Sequence, residues 1–443
     1  MTTTGFSVLA RLTGKAGGVD NLSIAEYPGP LGIHDAAQIG GNIESELIPQ
    51  IVAGLTRGSG VAAAAGVQRN SRDIVFTGSA ADVARYFDEQ EWSDGLPIVP
   101  PTVERVEEFL RYTDRAPDDA VAVLQSANLQ ATPWNIAVNA VMAGCLPQQL
   151  PLIIAAVEAL GDERCSLNNI GSSSGIFPFL LVNGPLVDVL GLESGAQLVS
   201  RPPNAALGRA LGLIVRNIAG FRPGSSYMGT FGYPLAIALA ERASDSPWEP
   251  FHVGQGFERS ANTVTVGVTN NWGSSPAPYD RAGHSGAEIA LRLLAKEINA
   301  KTRLHNFPCR GPHAEKAMLT LLLSPPVARS LAAAGYSKEA VRQHLYENTR
   351  MSLREFDWIS TFTSISGITA RERVAAGVLP AEFAGAPDDQ VRVLSSPDIL
   401  HLVVCGDPHR NRLMVMEGGH TQPTTKEVVL PRQWDDLLKQ AAG

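Results

Sequence analysis

Short apolar runs alternate along the chain with segments that carry apolar residues at helical spacing. The runs at 176–182, 263–269 and 318–323 are continuous in apolar or β-branched residues, which predicts buried strands. Runs at 399–405 and 413–417 predict a late pair of strands. A further strand at 61–67, after a helical stretch at 43–55, would begin an α/β unit in the Gly-rich N-terminal region.

Helix starts are marked by capping residues, which accept hydrogen bonds from the free N–H groups of a first turn. Ser79, Thr102 and Ser285 each precede an amphipathic segment, and Thr132 is followed by proline at the first helical position. Further helices are predicted at 147–160, 204–218, 326–334 and 338–350.

Helices and strands therefore alternate throughout, and the fold class is predicted to be α/β or α+β, with a mixed sheet and flanking helices. Residues 1–75 are rich in Gly and Ala and are expected to form a small N-terminal segment, a degenerate α/β module. Residues 76–443 are expected to form one large main domain. No internal repeat is visible in the sequence.

The net charge of −8 argues against nucleic acid or an anionic membrane surface as the main partner, since both require a basic face. The N-terminus does not have the pattern of an export signal, and no apolar run approaches the length of a spanning helix. We therefore expect a cytoplasmic protein with a small-molecule substrate, assembled as a homo-oligomer or with a partner subunit.

Cofactor signatures are missing from the sequence. Neither GxxxxGK[ST] nor a GxGxxG that follows a strand is present, so the cofactor stays unknown. Four scattered cysteines without a CxxC pair predict neither a disulfide framework nor a structural zinc site.

Two segments could supply a nucleophile. Cys145 lies between two predicted helices, where free N–H groups would favour its thiolate; the alternative is a small apolar residue that packs the corner. The loop NNIGSSSG at 168–175 contains Ser172, Ser173 and Ser174, with Ser173 as candidate nucleophile and the other two as substrate ligands. A plain turn explains the same loop.

Other candidates would bind substrate or transfer protons. Arg209 and Asn204, at the start of a helix, suit a carboxylate or phosphate, although surface salt bridges would also explain the arginine. His252 is the expected acid/base group. Asp94 and Trp92 lie in a loop stiffened by three prolines, where Asp94 either caps the turn or takes part in catalysis. Asn183, which follows a predicted strand, is a further expected substrate ligand.

Several short motifs together resemble the UGSC family, bacterial proteins named for a selenocysteine-Gly-Ser-Cys motif in which cysteine often replaces selenocysteine. The likeness covers roughly residues 80–430, and this chain lacks the motif itself. The matching stretches are DGLPIVPPT at 94–102, NAVMAGCLP at 139–147, VNGP at 182–185, NAALGRAL at 204–211, SPWEPFH at 246–252, AGYSK at 334–338 and SPDIL at 396–400. The resemblance implies redox or sulfur chemistry, in which Cys145 would take part.

The leading expectation is an enzyme that acts on a small, anionic organic substrate through a Cys or Ser nucleophile and His252. A second hypothesis is a non-catalytic or regulatory subunit that binds a redox-active UGSC protein. A third is a metal-dependent hydrolase or lyase, which requires three of His252, Asp280, His284 and His313 to converge; the sequence alone predicts no metal ligands.

Overall fold

The structure, a computed structural model, describes residues 1–16, 19, 22–29, 31, 34–56, 72–171, 175–224, 226–232, 236–277, 279–301, 318–362, 367–418 and 421–442. Its α-helices, in chain order, are α1 Ser7–Ala16, α2 Ala36–Asn42, α3 Ile48–Thr56, α4 Ala80–Glu89, α5 Val103–Leu110, α6 Pro133–Ala143, α7 Leu150–Leu160, α8 Leu186–Val189, α9 Pro202–Asn217, α10 Gly286–Lys301, α11 Pro325–Ala333, α12 Lys338–Asn348, α13 Leu353–Phe362, α14 Ala370–Ala375 and α15 Trp434–Ala442.

The strands, in chain order, are β1 Thr2–Thr3, β2 Glu26–Tyr27, β3 Ala122–Leu124, β4 Leu129–Ala131, β5 Phe177–Asn183, β6 Ile237–Glu241, β7 Thr263–Thr269, β8 Ser275–Pro276, β9 Leu319–Leu323, β10 Arg350–Ser352, β11 Gln390–Arg392, β12 Leu400–Val404, β13 Arg412–Glu417 and β14 Thr424–Glu427. A first sheet has the order β14-β7-β5-β6, and a second sheet has the order β12-β9-β13-β8. The pairs β1-β2, β3-β4 and β10-β11 form separate two-stranded sheets.

The two four-stranded sheets pack face to face between two layers of helices. Phe179, Leu181 and Leu239 of the first sheet contact a core that includes Leu322 and Met414 of the second sheet. Helices α7 and α9 pack on the outer face of the first sheet, with α5 and α6 behind them, and α10 packs on the second sheet in one core with α11, α12 and α13. The central strands are therefore buried on both faces, which explains their continuous apolar runs.

Both sheets are built in the same order. In the first sheet, β5 pairs in parallel with β6 and antiparallel with β7; in the second, β9 pairs in parallel with β12 and antiparallel with β13. The fourth strands are exchanged. β8 follows β7 in the chain but pairs with β13, whereas β14 follows β13 but pairs with β7.

The fold class is α/β or α+β with mixed sheets, as the sequence predicts. The capping residues Ser79, Thr102 and Thr132 each accept a hydrogen bond from the backbone of the helix that they precede. One expectation is wrong. The late strands β12 and β13 do not pair with each other, because β9 lies between them and pairs with both.

Two sequence predictions of organisation remain open. The strand predicted at 61–67 lies outside the described residues. The division of the chain at residue 75 also stays a prediction, although Arg72, assigned to the N-terminal segment, lies over the Trp134 ring of the main domain at 4.8 Å.

Candidate functional site

A pocket of about 600 Å³ lies between α4, α5, α6, the end of α9 and the extended segment 72–76. Four aromatic side chains line it, so we name it the aromatic pocket. Its lining includes Phe76, Phe87, Trp92, Trp134, Val83, Val138, Met142, Asn135, Asn139, Asn217, Arg72, Asp73, Glu104 and Arg222.

Helix periodicity builds the floor of this pocket. Thr132 and Pro133 fix the start of α6, so that Trp134, Val138 and Met142, each four residues from the next, follow one face of the helix. Phe87, from α4, meets Trp92 edge to face with ring centroids 5.3 Å apart. These contacts hold the aromatic rings before any ligand arrives.

Asparagine side chains form a connected polar strip along one wall. Asn139 donates to the Asn135 carbonyl at 2.8 Å and accepts from Asn217 Nδ2 at 2.8 Å. Asn217 Nδ2 also donates to the Trp92 carbonyl at 2.9 Å, whereas its buried Oδ1 has no hydrogen-bond partner within the described ranges. The strip fixes α6, α9 and the loop that carries Trp92 relative to one another, and it retains one spare acceptor.

Asp94 and Arg209, two predicted site residues, bind each other. Arg209 donates from Nε and Nη2 to the two carboxylate oxygens at 2.9 and 2.8 Å, and it also donates to the carbonyls of Leu96 and Pro97. Burial raises the pKa of Asp94, but the hydrogen bonds and charge of Arg209 outweigh it and hold that pKa below its usual value. The pair clamps the proline-rich loop, and the role of Arg209 as a substrate ligand stays a prediction.

Cys145 lies at the corner between α6 and α7. Gly144 adopts the left-handed conformation, and the N–H groups of Gly144 and Cys145 bond back to the carbonyls of Val141 and Ala140, a Schellman ending. The thiol is buried, and burial raises its pKa well above the ordinary range, opposed only in part by the charge of Arg209. This geometry matches the packed-corner alternative; the nucleophilic role stays a prediction.

Asn183 and Glu241 lie side by side at the carboxyl-terminal ends of β5 and β6, and Phe251, the neighbour of His252 in the chain, donates its N–H to the same Glu241 carboxylate. Asn183 donates to the buried carboxylate of Glu241 at 2.8 Å, and the ammonium group of Lys338 lies 4.0 Å from the same carboxylate. Burial lowers the pKa of His252, although its bond to the Arg259 carbonyl and the charge of Glu241 oppose this. We name Asn183, Glu241, His252, Thr263 and Lys338 the inter-sheet polar cluster.

The structure thus separates the predicted site residues. Trp92 lines the aromatic pocket, while Asp94 and Arg209 hold its loop and Cys145 packs close to Arg209. Asn204 instead binds the backbone of Glu193 through both atoms of its amide. Ser172, Ser173 and Ser174 lie outside the described residues.

Sequence reasoning missed Trp134, Asn217, Glu241 and Lys338. Trp134 was detectable as a helical position in register with Val138, and Lys338 ends one of the motifs quoted above. Glu241 follows the apolar run at 235–240, where a single buried carboxylate gives little sequence signal. The contacts that make these residues a site join distant parts of the chain.

No group of three or more His, Cys, Asp or Glu side chains is placed to hold a metal ion among the residues that the structure describes. Asp280 instead accepts a hydrogen bond from the Gly286 N–H at 2.6 Å. His284 Nδ1 lies 2.9 Å from a carboxylate oxygen of Glu288, on α10. His313 lies outside the described ranges. None of the helices in those ranges is long and apolar enough to cross a membrane.

No protein-family model, curated protein or solved structure matches this chain. The resemblance to the UGSC family therefore stays a prediction from the sequence motifs.

Proposed function

We propose that this protein binds a small, flat and mainly apolar organic molecule in the aromatic pocket and acts on it as an enzyme of small-molecule metabolism. The observation that supports the proposal is the pocket itself, about 600 Å³ in volume and lined by four aromatic rings with a strip of amides along one wall. Pockets of this size and composition are typical of small-molecule sites, where a few polar groups orient a largely apolar ligand.

The charges on the pocket wall suggest the ligand's net charge. Two guanidinium groups, Arg72 and Arg222, are formally balanced by the carboxylates of Asp73 and Glu104. Arg72 already lies over the Trp134 ring at 4.8 Å and 3.8 Å from Asp118. This balance favours a neutral or zwitterionic ligand over the simple anion expected from the sequence.

Catalysis in this pocket would not use the predicted nucleophile and base directly, since neither Cys145 nor His252 lines it. The carboxylates and amides of the wall are the groups in reach of a bound molecule. We also propose a cytoplasmic location, in keeping with an enzyme of small-molecule metabolism.

Calorimetry with indole, 2-naphthol and cyclohexanol as probes tests the proposal. We expect saturable binding of the two aromatic probes and weaker binding of cyclohexanol. Val138→Phe, which fills the pocket from α6, should weaken aromatic binding at least about tenfold, equivalent to about 1.4 kcal/mol. Val429→Phe, at a surface position that is 73% exposed, is the matched control and should leave binding unchanged. Equal affinities in the wild type and Val138→Phe would refute the pocket as the site.

A further inference from the structure

The inter-sheet polar cluster interrupts a mainly apolar layer between the two sheets. Thr263, Asn183 and Glu241 lie side by side across β7, β5 and β6, because Asn183 is in register with both other residues. Beside them the layer is filled by Phe179, Leu181, Leu239, Leu322, Val403 and Met414. Apolar side chains therefore suffice to join the sheets, and the polar row has to be explained by something other than packing.

Both carboxylate oxygens of Glu241 accept hydrogen bonds without help from a ligand. It accepts from Asn183 Nδ2 at 2.8 Å, from the Phe251 N–H at 2.6 Å and from the Val404 N–H at 2.8 Å. Lys338 supplies the opposite charge from 4.0 Å, a separation too long for a direct hydrogen bond.

The surrounding groups are not satisfied in the same way. Asn183 Oδ1, His252 Nδ1, Thr263 Oγ1 and Lys338 Nζ are all buried and have no hydrogen-bond partner among the described residues. Each belongs to a residue that is at least nine-tenths buried. Buried polar atoms in native proteins are nearly always paired with protein or with ordered water, so four in one cluster point to a bound molecule.

The hydrogen-bonding roles of these atoms specify what that molecule is. His252 Nε2 lies 3.3 Å from the Arg259 carbonyl, which assigns the proton to Nε2 and leaves Nδ1 as an acceptor. Asn183 Oδ1 is also an acceptor, whereas Lys338 Nζ can only donate. The occupant must therefore donate and accept at once. Lys338 and Glu241 balance in charge, so the occupant is neutral.

We propose that the inter-sheet polar cluster is an enclosed binding site for ordered water, which accepts from Lys338 and Thr263 and donates to His252 or Asn183. The site is separate from the aromatic pocket, since none of its five residues lines that pocket. Three stretches singled out in the sequence, 182–185, 246–252 and 334–338, supply Asn183, His252 and Lys338. Water held between an amine and a neutral imidazole is an arrangement suited to proton transfer.

A crystal structure of the full chain at a resolution that shows water tests the proposal directly. We expect a peak within about 2.6–3.2 Å of Lys338 Nζ and of at least one of the other three atoms. A dry cluster, or one in which Lys338 bonds Glu241 directly and the remaining polar atoms pair with one another, would overturn it.

Paired valine substitutions on β7 give a second test in solution. Thr265 Oγ1 has a partner, Thr425 Oγ1 at 2.9 Å, whereas Thr263 Oγ1 has none in the part of the chain that the structure describes. If water bonds Thr263, Thr263→Val should lower the melting temperature as the control Thr265→Val does, by roughly 1–3 °C. An unchanged or raised melting temperature for Thr263→Val, beside a lowered one for Thr265→Val, would contradict a hydrated site.

Discussion

At the scale of single residues, the Asp94–Arg209 pair shows how far a local pattern leads. The prolines and glycine of the loop at 92–102 predict a rigid turn, and Asp94 does bond locally, to the Leu96 N–H at 3.3 Å. Its main partner is a guanidinium group 115 positions away, which no local pattern specifies. Sequence reasoning therefore identified both residues but not their contact.

Replacing Asp94 by Asn should destabilise the protein by about 2 kcal/mol, because it breaks a bidentate, charge-assisted interaction between side chains that are only 14–15% exposed. Urea unfolding measures this loss. Asp388→Asn is the control, because its partner Arg354 and Asp388 itself are largely exposed, and it should cost less than about 0.5 kcal/mol. Because the pKa of Asp94 is lowered in the folded protein, its carboxylate contributes to the free energy of unfolding. This contribution is present above the unfolded-state pKa of Asp94 and is lost as pH falls through the folded-state pKa. Equal urea midpoints for the two variants would show that the clamp is not stabilising.

Cys145 should react slowly with iodoacetamide in the native protein at neutral pH. Burial raises the pKa of its thiol and shields the sulfur, and both effects suppress the reactive thiolate. Mass spectrometry of labelled peptides, before and after unfolding in guanidinium chloride, measures the contrast. Faster native labelling of Cys145 than of the buried Cys165 and Cys405 would support the nucleophile after all.

At the scale of elements, helix limits were more predictable than strand neighbours. Helix starts depend on contacts within four residues, such as the mutual bonds of Ser79 and Asp82 at α4. Strand neighbours depend on contacts across the chain. The apolar runs that become β12 and β13 contain nothing that shows β9 inserting between them, so a local pairing was the wrong expectation.

Helix α9 packs closely on β6 at one glycine, which gives a test of this interface. A Cβ added to Gly208 would lie 2.9 Å from Ile237 Cα and 3.0 Å from Ala238 N, whereas one added to Gly212 would meet Ala236 Cβ at an ordinary 3.5 Å. Gly208→Ala should therefore cost about 2 kcal/mol or more through displaced backbone.

Gly212→Ala is the matched control on the same helix. It should be neutral or stabilise the protein by up to about 1 kcal/mol, since alanine is the better helix former. Thermal unfolding of both variants measures the difference. Similar melting temperatures for the two would contradict the close approach of α9 to the sheet.

At the scale of the whole molecule, the layer between the sheets should make stability sensitive to acid. His401 on β12 is buried beside the Phe251 ring and Met318, and burial, with a smaller effect from Arg342, lowers its pKa to about 4. In the unfolded chain the pKa of this histidine is near 6.5, so between about pH 6.5 and 4 the unfolded chain binds a proton at this position and the folded chain does not. The stabilising contribution is therefore complete above about pH 6.5 and is lost as pH falls toward 4, by about 3 kcal/mol.

His401→Leu should flatten the stability profile between those pH values, and urea unfolding at intervals of half a pH unit would show it. His409→Ala, at an exposed position, is the control and should keep the wild-type slope. A wild-type slope in His401→Leu would place the acid sensitivity elsewhere, for example at His252.

The repeated strand order of the two sheets is a property that the sequence concealed. Asn183, Glu241 and Thr263 of the first sheet have no polar counterparts in the row Leu322, Val403 and Met414, which lies on the inter-sheet face of the second. Pairing geometry can recur where side-chain chemistry has diverged, because backbone hydrogen bonds hold the ladder in both. The sequence therefore shows no repeat, although the strand order of the two sheets is repeated.

The exchange of the fourth strands also determines when the first sheet can be completed during translation. β5, β6 and β7 emerge during translation well before β14, the strand that covers the edge of β7. The edge of β7 in the nascent first sheet therefore stays unpaired while more than a hundred further residues are synthesised, because β7 ends at Thr269 and β14 begins at Thr424. Bare edges invite pairing with other chains, so chaperone dependence during synthesis should be concentrated in that interval.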